Sequence, residues 1–258
     1  MIKNFYIKNF NLFKKIYKKN SFKTTNLKKE LFFESTKDWS IFFSLRQLRK
    51  IYKSRRKKEK SIIKIIPIKD LKEWYVEKKT GNIFHKSKKF FKIQGVRIIT
   101  NQRETQKKGW DQPIVTQEGY DGGILGLLRA RFLGIPHYLC QFKLEPGNYG
   151  KFQISPTLQA TNSNIKKVHK GRPPFFLDYF LRPNKNASKI IFKSWFAEDG
   201  GRFYLKRNLG ILLETSREGH KIVLPNKDFI WLSLYQIKKL INENAWINPH
   251  LRSLLSFY

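Results

Sequence analysis

Residues 137–155 carry the clearest alternation in the chain. In HYLCQFKLE (137–145), Tyr138, Cys140, Phe142 and Leu144 share one face, while His137, Leu139, Gln141, Lys143 and Glu145 share the other. PGNYG then turns the chain, and KFQIS (151–155) alternates again, so a hairpin is predicted whose polar side carries Gln141, Lys143, Glu145, Lys151 and Gln153. Helical spacing appears in DWSIFFSLRQLRKIYKSRRKK (38–58), where Ile41, Leu45 and Leu48 form a stripe that Ile51 and Tyr52 extend, with Asp38 placed to cap it. DGGILGLLRARFLG (121–134) reads as a short helix capped by Asp121 and ended by Gly134. PPFFLDYFLR (173–182) reads as a helix opened by proline. The stretch 228–245 ends in a helix with a capping box of Ser233 and Gln236, and a last turn starts near Pro249.

The remaining segments read as strands and turns. Residues 61–85 predict a short apolar strand and a turn around Thr80-Gly81-Asn82; KFFKIQGVRIIT (89–100) predicts a strand pair bent at Gly95. KIIFKSWF (189–196) and ILLET (211–215) are strands flanking a glycine turn that is followed by Arg202, Lys206 and Arg207. Strands and helices mix without regular βαβ alternation, which predicts an α+β fold with a mixed or antiparallel sheet. Residues 1–60 read as a basic, partly helical extension and 61–258 as the main module.

Composition narrows the functional classes. The chain has 258 residues, 40% of them hydrophobic, enough for one large domain with a substantial core. With Cys140 as its one cysteine, an internal disulfide and a multi-cysteine zinc site are excluded, and a reducing, cytoplasmic setting is expected. No apolar run reaches the ~18 residues of a membrane span. The net charge of +34 is uneven: +22 falls in residues 1–100 and +12 in the rest. Runs such as RKIYKSRRKKEK (49–60) suit phosphate backbones, but lysines are also scattered over nearly every segment, as a general compositional bias would leave them. Phosphate-loop, dinucleotide-binding, HExxH and GxSxG motifs are absent, and the spacing of the five histidines predicts no metal site.

SPTLQATNSN (155–164) departs from this lysine-rich style with seven uncharged polar side chains in ten residues. Together with WDQPIVTQ (110–117), GILGLL (123–128), KLEPGN (143–148), VHKG (168–171), GRFYLKRN (201–208), FIWLSLYQI (229–237) and INPHLRSLLS (247–256), it resembles the NDP-hexose 2,3-dehydratase family over residues 62–257. The resemblance implies a Nudix-like α+β module without the Nudix metal box. It implies removal of water across C2 and C3 of a nucleoside-diphosphate 4-keto-6-deoxyhexose, typically linked to thymidine, without a redox cofactor, and a partner ketoreductase that consumes the diketo product. Family members usually carry two modules, and this chain has room for one, so a homodimer or a complementary second module is expected. Ile165 stands where the family usually has an aromatic residue.

Such a reaction needs a base for the C3 proton, donors for the enolate oxygen and an acid for the departing hydroxyl. Glu145 is a candidate base, or a hairpin-end residue capping its own turn. His169 is a candidate proton shuttle and Tyr179 a further catalytic candidate, or a helix-packing residue; Glu118 is a weaker one. Amides and hydroxyls match sugar and base-edge groups, which points to Thr157, Gln159, Thr161 and Asn164, with Asn148, as substrate contacts. Lys143, Arg202 and Arg207 are diphosphate candidates, and Trp110 or Phe203 could stack on the base. Two other readings stay open: a non-catalytic sugar-nucleotide-binding half-module, and a nucleic-acid-binding protein using the basic front segment.

Overall fold

ILGLLRARF (124–132) is a strand, not the expected helix, and it is the middle strand of the larger sheet. A computed structural model of the protein describes residues 2–18, 25–100, 109–117, 122–165 and 172–256. The elements run α1 (Ile2–Lys18), α2 (Asn26–Thr36), α3 (Leu45–Lys58), β1 (Trp74–Val76), β2 (Ile83–His85), β3 (Phe91–Ile98), β4 (Trp110–Gln117), β5 (Ile124–Phe132), β6 (Ile135–Leu144), β7 (Phe152–Pro156), β8 (Leu158–Ala160), α4 (Asn162–Ile165), α5 (Leu177–Leu181), β9 (Ser188–Ala197), β10 (Arg207–Glu218), β11 (Phe229–Leu232), α6 (Leu234–Ile241) and α7 (Pro249–Leu254). β1 to β4 form an antiparallel meander. The larger sheet has the order β11-β6-β5-β10-β9, with β7 on β6 and β8 on β5; β10 is parallel to β5, so the sheet is mixed. The class is therefore α+β, with mixed sheets flanked by helices.

β5 defeats periodicity because both its faces are buried. Leu125 and Leu127 pack with α6, α7 and α3 on one face; Ile124, Leu128 and Ala130 pack with Phe180 and Trp231 on the other. Such strands read as continuous apolar runs. Gly123, just before β5, meets a tight approach: a Cβ there would lie 1.9 Å from the Ala160 carbonyl oxygen. The glycine pair thus admits neighbouring backbone instead of opening a helix; the expected cap, Asp121, lies outside the described residues.

Other boundaries shift for local reasons. The helix expected from residue 38 begins at Leu45, because Ser44 and Gln47 form a full capping box there. Asp38 instead accepts from the amide of Leu45 at 3.1 Å and from the Ser233 hydroxyl at 2.9 Å, tying α3 to α6. Residues 61–67 form no strand, and Ile62 and Ile65 bury little of themselves. Residues 91–98 are one strand that passes straight through Gly95, which sits opposite Pro113. α5 starts at Leu177, three residues after Pro174, not at the prolines expected to open it. The β6–β7 hairpin, the turn closed by the Glu77–Asn82 hydrogen bond, the α6 capping box and the proline at the start of α7 follow expectation.

β5 and β6 pair only from Leu128↔Leu139 to their joining turn; beyond that point they separate. β7 lines the β6 arm and β8 the β5 arm. Thr157, between them, sits in the fork: its hydroxyl accepts from the Leu128 amide at 2.8 Å and donates to the Leu139 carbonyl at 2.5 Å. Residues 246–248 enter beside β7, where the Ile154 amide donates to the Trp246 carbonyl and the Ile154 carbonyl accepts from the Asn248 amide. The fork is thus held closed at one end and filled from the C-terminal side at the other.

The basic front segment is helical, and much of it packs into the module. Leu31, Leu48 and Tyr52 belong to the same apolar cluster as β5, α6 and α7. The Tyr52 ring stacks on Trp246 at 4.0 Å and its hydroxyl donates to the Phe152 carbonyl. Among the described residues no helix is long and apolar enough to cross a membrane.

Candidate active site

The open end of the fork collects the ends of several strands. β5, β7 and β10 begin there, and β6, β8 and β9 end there. Across it lies the start of α7, whose N-cap Asn248 accepts from the His250 amide at 2.8 Å. Polar side chains from distant parts of the sequence meet at this end. Lys143 Nζ lies 3.2 Å from Glu145 Oε1, and Asn248 Nδ2 reaches Glu145 Oε2 at 3.5 Å. His250 Nε2 lies 3.9 Å from Glu198 Oε1. Asn208 donates to the same Glu198 oxygen and accepts from the Gly123 amide at 2.9 Å, fixing the carboxylate against the start of β5.

The electrostatics suit proton transfer. Burial lowers the pKa of His250 below its ordinary 6.5; Lys143 and Lys206 push the same way, and Glu198 and Glu145 oppose them without prevailing. At neutral pH the imidazole is uncharged and able to accept a proton. Burial also lowers Lys206, against the pull of Glu198. A neutral base, two carboxylates and two ammonium groups therefore share one half-buried region, an arrangement typical of general acid–base chemistry.

Of the residues singled out in the sequence, Lys143 and Glu145 belong to this cluster. Asn148 braces the adjoining turn by donating to the Lys143 carbonyl at 3.1 Å. Gln159, on β8, is half-buried. Thr161 accepts from the Asn164 amide at 3.3 Å, and Asn164 is exposed on α4. Arg207 starts β10 and lies over the Trp195 ring at 4.3 Å. Arg202 pairs with Asp199 at 3.1 Å, and Phe203 bridges to Val115 of the smaller sheet. Trp110, also on that sheet, donates to Gln112 at 2.8 Å. Tyr179 packs against Phe176 on the far face of the larger sheet. His169 and Glu118 lie outside the described residues.

Sequence reasoning missed His250, Glu198, Lys206 and Asn208 as a group. No spacing links them, since the sheet topology and the returning C-terminal segment bring them together. One signal was present: Asn248-Pro249-His250 places a cap, a helix-starting proline and a histidine in consecutive positions.

A family model for NDP-hexose 2,3-dehydratase matches residues 45–258. The chain belongs to the NDP-hexose 2,3-dehydratase family. The matched region takes in α3 as well as both sheets, and all the cluster residues. Three curated relatives, each named dTDP-4-dehydro-6-deoxy-alpha-D-glucopyranose 2,3-dehydratase, are similar to this family member. That of Amycolatopsis orientalis is 39% identical over 194 residues, covering 74% of this chain and 40% of the relative. Those of Streptomyces violaceoruber and Saccharopolyspora spinosa are each 36% identical, again over 74% of this chain, and over 41% and 37% of the relative. The chain thus spans about two fifths of the length of the curated relatives it matches.

Proposed function

We propose that the protein dehydrates a nucleoside-diphospho-4-keto-6-deoxyhexose across C2 and C3, with thymidine as the nucleoside, using the cluster at the open end of the fork. The observation that carries this reading is a neutral, half-buried His250 set between Glu198, Glu145 and Lys206 in a chain whose relatives bear the dehydratase name. The 4-keto group acidifies the C3 proton, which His250 removes. Lys206 faces the growing charge on the enolate oxygen. The C2 hydroxyl leaves as water with the proton that His250 has taken, giving a C2=C3 enol whose 3-hydroxyl becomes a ketone when C2 takes up a proton. Glu198, held by Asn208, keeps the imidazole oriented, and Glu145 serves the leaving hydroxyl. Thr157 belongs in this reading to the scaffold, because both its hydroxyl partners are backbone. Gln159, on the neighbouring arm, remains a substrate contact.

The same reading makes the module Nudix-like, places the protein in the cytoplasm and requires a 3-ketoreductase to consume the diketo product. The half-length match supports a homodimer or a complementary second module. The test is direct. Purified protein, thymidine-diphospho-4-keto-6-deoxyglucose, a 3-ketoreductase and NADPH should yield a 2,6-dideoxy sugar nucleotide. Turnover that appears only after a second module is added would leave this chain as the binding half. No turnover in either case would overturn the dehydratase reading.

A further inference from the structure

A trough of about 970 Å³ runs between α3 and the outer edge of β6. Lys50, Arg55 and Lys58 form one wall, Lys143 and Leu144 another, and Lys227 the end. Its two carboxylates are already engaged: Asp228 pairs with Arg55, and Glu59 accepts from the Ser61 amide at 2.7 Å. Among the described residues, Lys50, Lys58 and Lys227 have no carboxylate within ion-pair distance. The backbone adds a donor. β11 pairs with β6 only as far as Gln141, and the Phe142 amide is taken by the Asp228 carbonyl at 2.8 Å. Amides alternate in direction along a strand, and that of Glu145 points the other way, to Lys151, so the Leu144 amide faces the trough. Unneutralised ammonium groups around a backbone N–H, in a space of nucleotide size, form a receptor for phosphate oxygens.

The trough also has a direction. Lys143 lines it and is paired with Glu145, which belongs to the proton-moving cluster. A ligand with its phosphates along α3 would point its next group past Lys143 at Glu145 and His250. We propose that this trough holds the diphosphate of the nucleoside-diphosphate ligand, with Lys50, Lys58 and Lys227 as its cationic wall. The sugar's identity rests on the dehydratase reading, whereas the phosphate site does not. This assignment moves the diphosphate away from Arg202 and Arg207, which are engaged by Asp199 and Trp195.

The experiment is titration calorimetry of the full chain with thymidine diphosphate at 0.15 M salt, comparing the parent with a Lys50→Glu, Lys227→Glu double variant and with Arg207→Glu. The double variant should bind at least tenfold more weakly, while Arg207→Glu changes affinity less than threefold; pyrophosphate should compete. In the coupled turnover assay the double variant should raise KM with kcat within twofold of the parent. Unchanged affinity in the double variant, or a loss confined to Arg207→Glu, would overturn the assignment and leave the dehydratase reading intact. Failure of the parent to bind thymidine diphosphate, with single-stranded RNA bound through the same lysines, would also overturn it. Lysine-dependent nucleotide binding without turnover of the sugar substrate, either alone or with a second module added, would uphold the trough and sink the dehydratase reading.

Discussion

At the scale of single residues, His137 and His250 show how environment decides role. His137 is fully buried; its Nδ1 lies 3.1 Å from the Ile135 carbonyl and its Nε2 accepts from the Ile41 amide at 3.3 Å. Burial drops its pKa to about 4, and both nitrogens are engaged by backbone, so it has a structural task only. His250 is also lowered by burial, but its neighbours are carboxylates and ammonium groups, and it keeps partial access to solvent. A base must be unprotonated to act. Its pKa is lowered, so activity should be full at neutral pH and should fall only as the pH drops below the ordinary histidine range near 6.5. His250→Asn keeps the shape but cannot take the proton; kcat should fall by about 10²–10⁴ with KM little changed, and the acid limb of the pH profile should vanish. A loss confined to KM would make His250 a binding residue.

At the scale of elements, the fork shows what could and could not be read from sequence. The hairpin arms were legible because each alternates and PGNYG separates them, and from them came Lys143 and Glu145. β5 was not, because a strand buried on both faces has no period, and its Leu-Leu-Arg-Ala-Arg composition suits a helix as well as a strand. The polar stretch 155–164 stands out for its amides and hydroxyls, yet Thr157 faces inward, since the point where two strands part leaves one amide and one carbonyl for a side chain to satisfy. His250, Glu198, Lys206 and Asn208 were hidden because long-range pairing, not spacing, assembles them. The fork makes a sharp prediction. Thr157→Val is nearly isosteric but strands the Leu128 amide and the Leu139 carbonyl in a buried site, which should cost about 2–4 kcal/mol in urea denaturation. Thr157→Ser should retain most of that stability, because it keeps the bridging oxygen. If Val proves as stable as Thr, the hydroxyl does not hold the fork.

At the scale of the whole molecule, one buried ion network joins the basic front segment to the central sheet. Arg129 of β5, fully enclosed, reaches Glu30 at 2.8 Å and Glu34 at 2.6 Å on α2 and also pairs with Glu214 on β10; Arg131 reinforces Glu30 and Glu214. Burial works against charge on Arg129, but the surrounding carboxylates outweigh it and keep it protonated. Burial likewise opposes ionisation of Glu30, yet its bonds to Arg131 and the charge of Arg129 prevail, and its pKa falls to about 2. A depressed carboxylate pKa adds stability that is complete above the unfolded value near 4.5 and is lost as the pH falls toward 2. Arg129→Met removes the central cation and leaves carboxylates buried without it, which should cost about 3–5 kcal/mol at pH 7. Those carboxylates then gain by taking up protons, so their pKa values should rise. In the parent Glu30 stays ionised and only Glu34, whose carboxyl burial holds above its ordinary range, gains from acid, so the variant should gain more stability than the parent as the pH is lowered from 7 toward 5. Urea midpoints measured across that range should show the gap between the two proteins narrowing toward pH 5; a constant gap would mean that α2 is held to the sheet by its apolar contacts alone, Leu31 and Phe33 foremost.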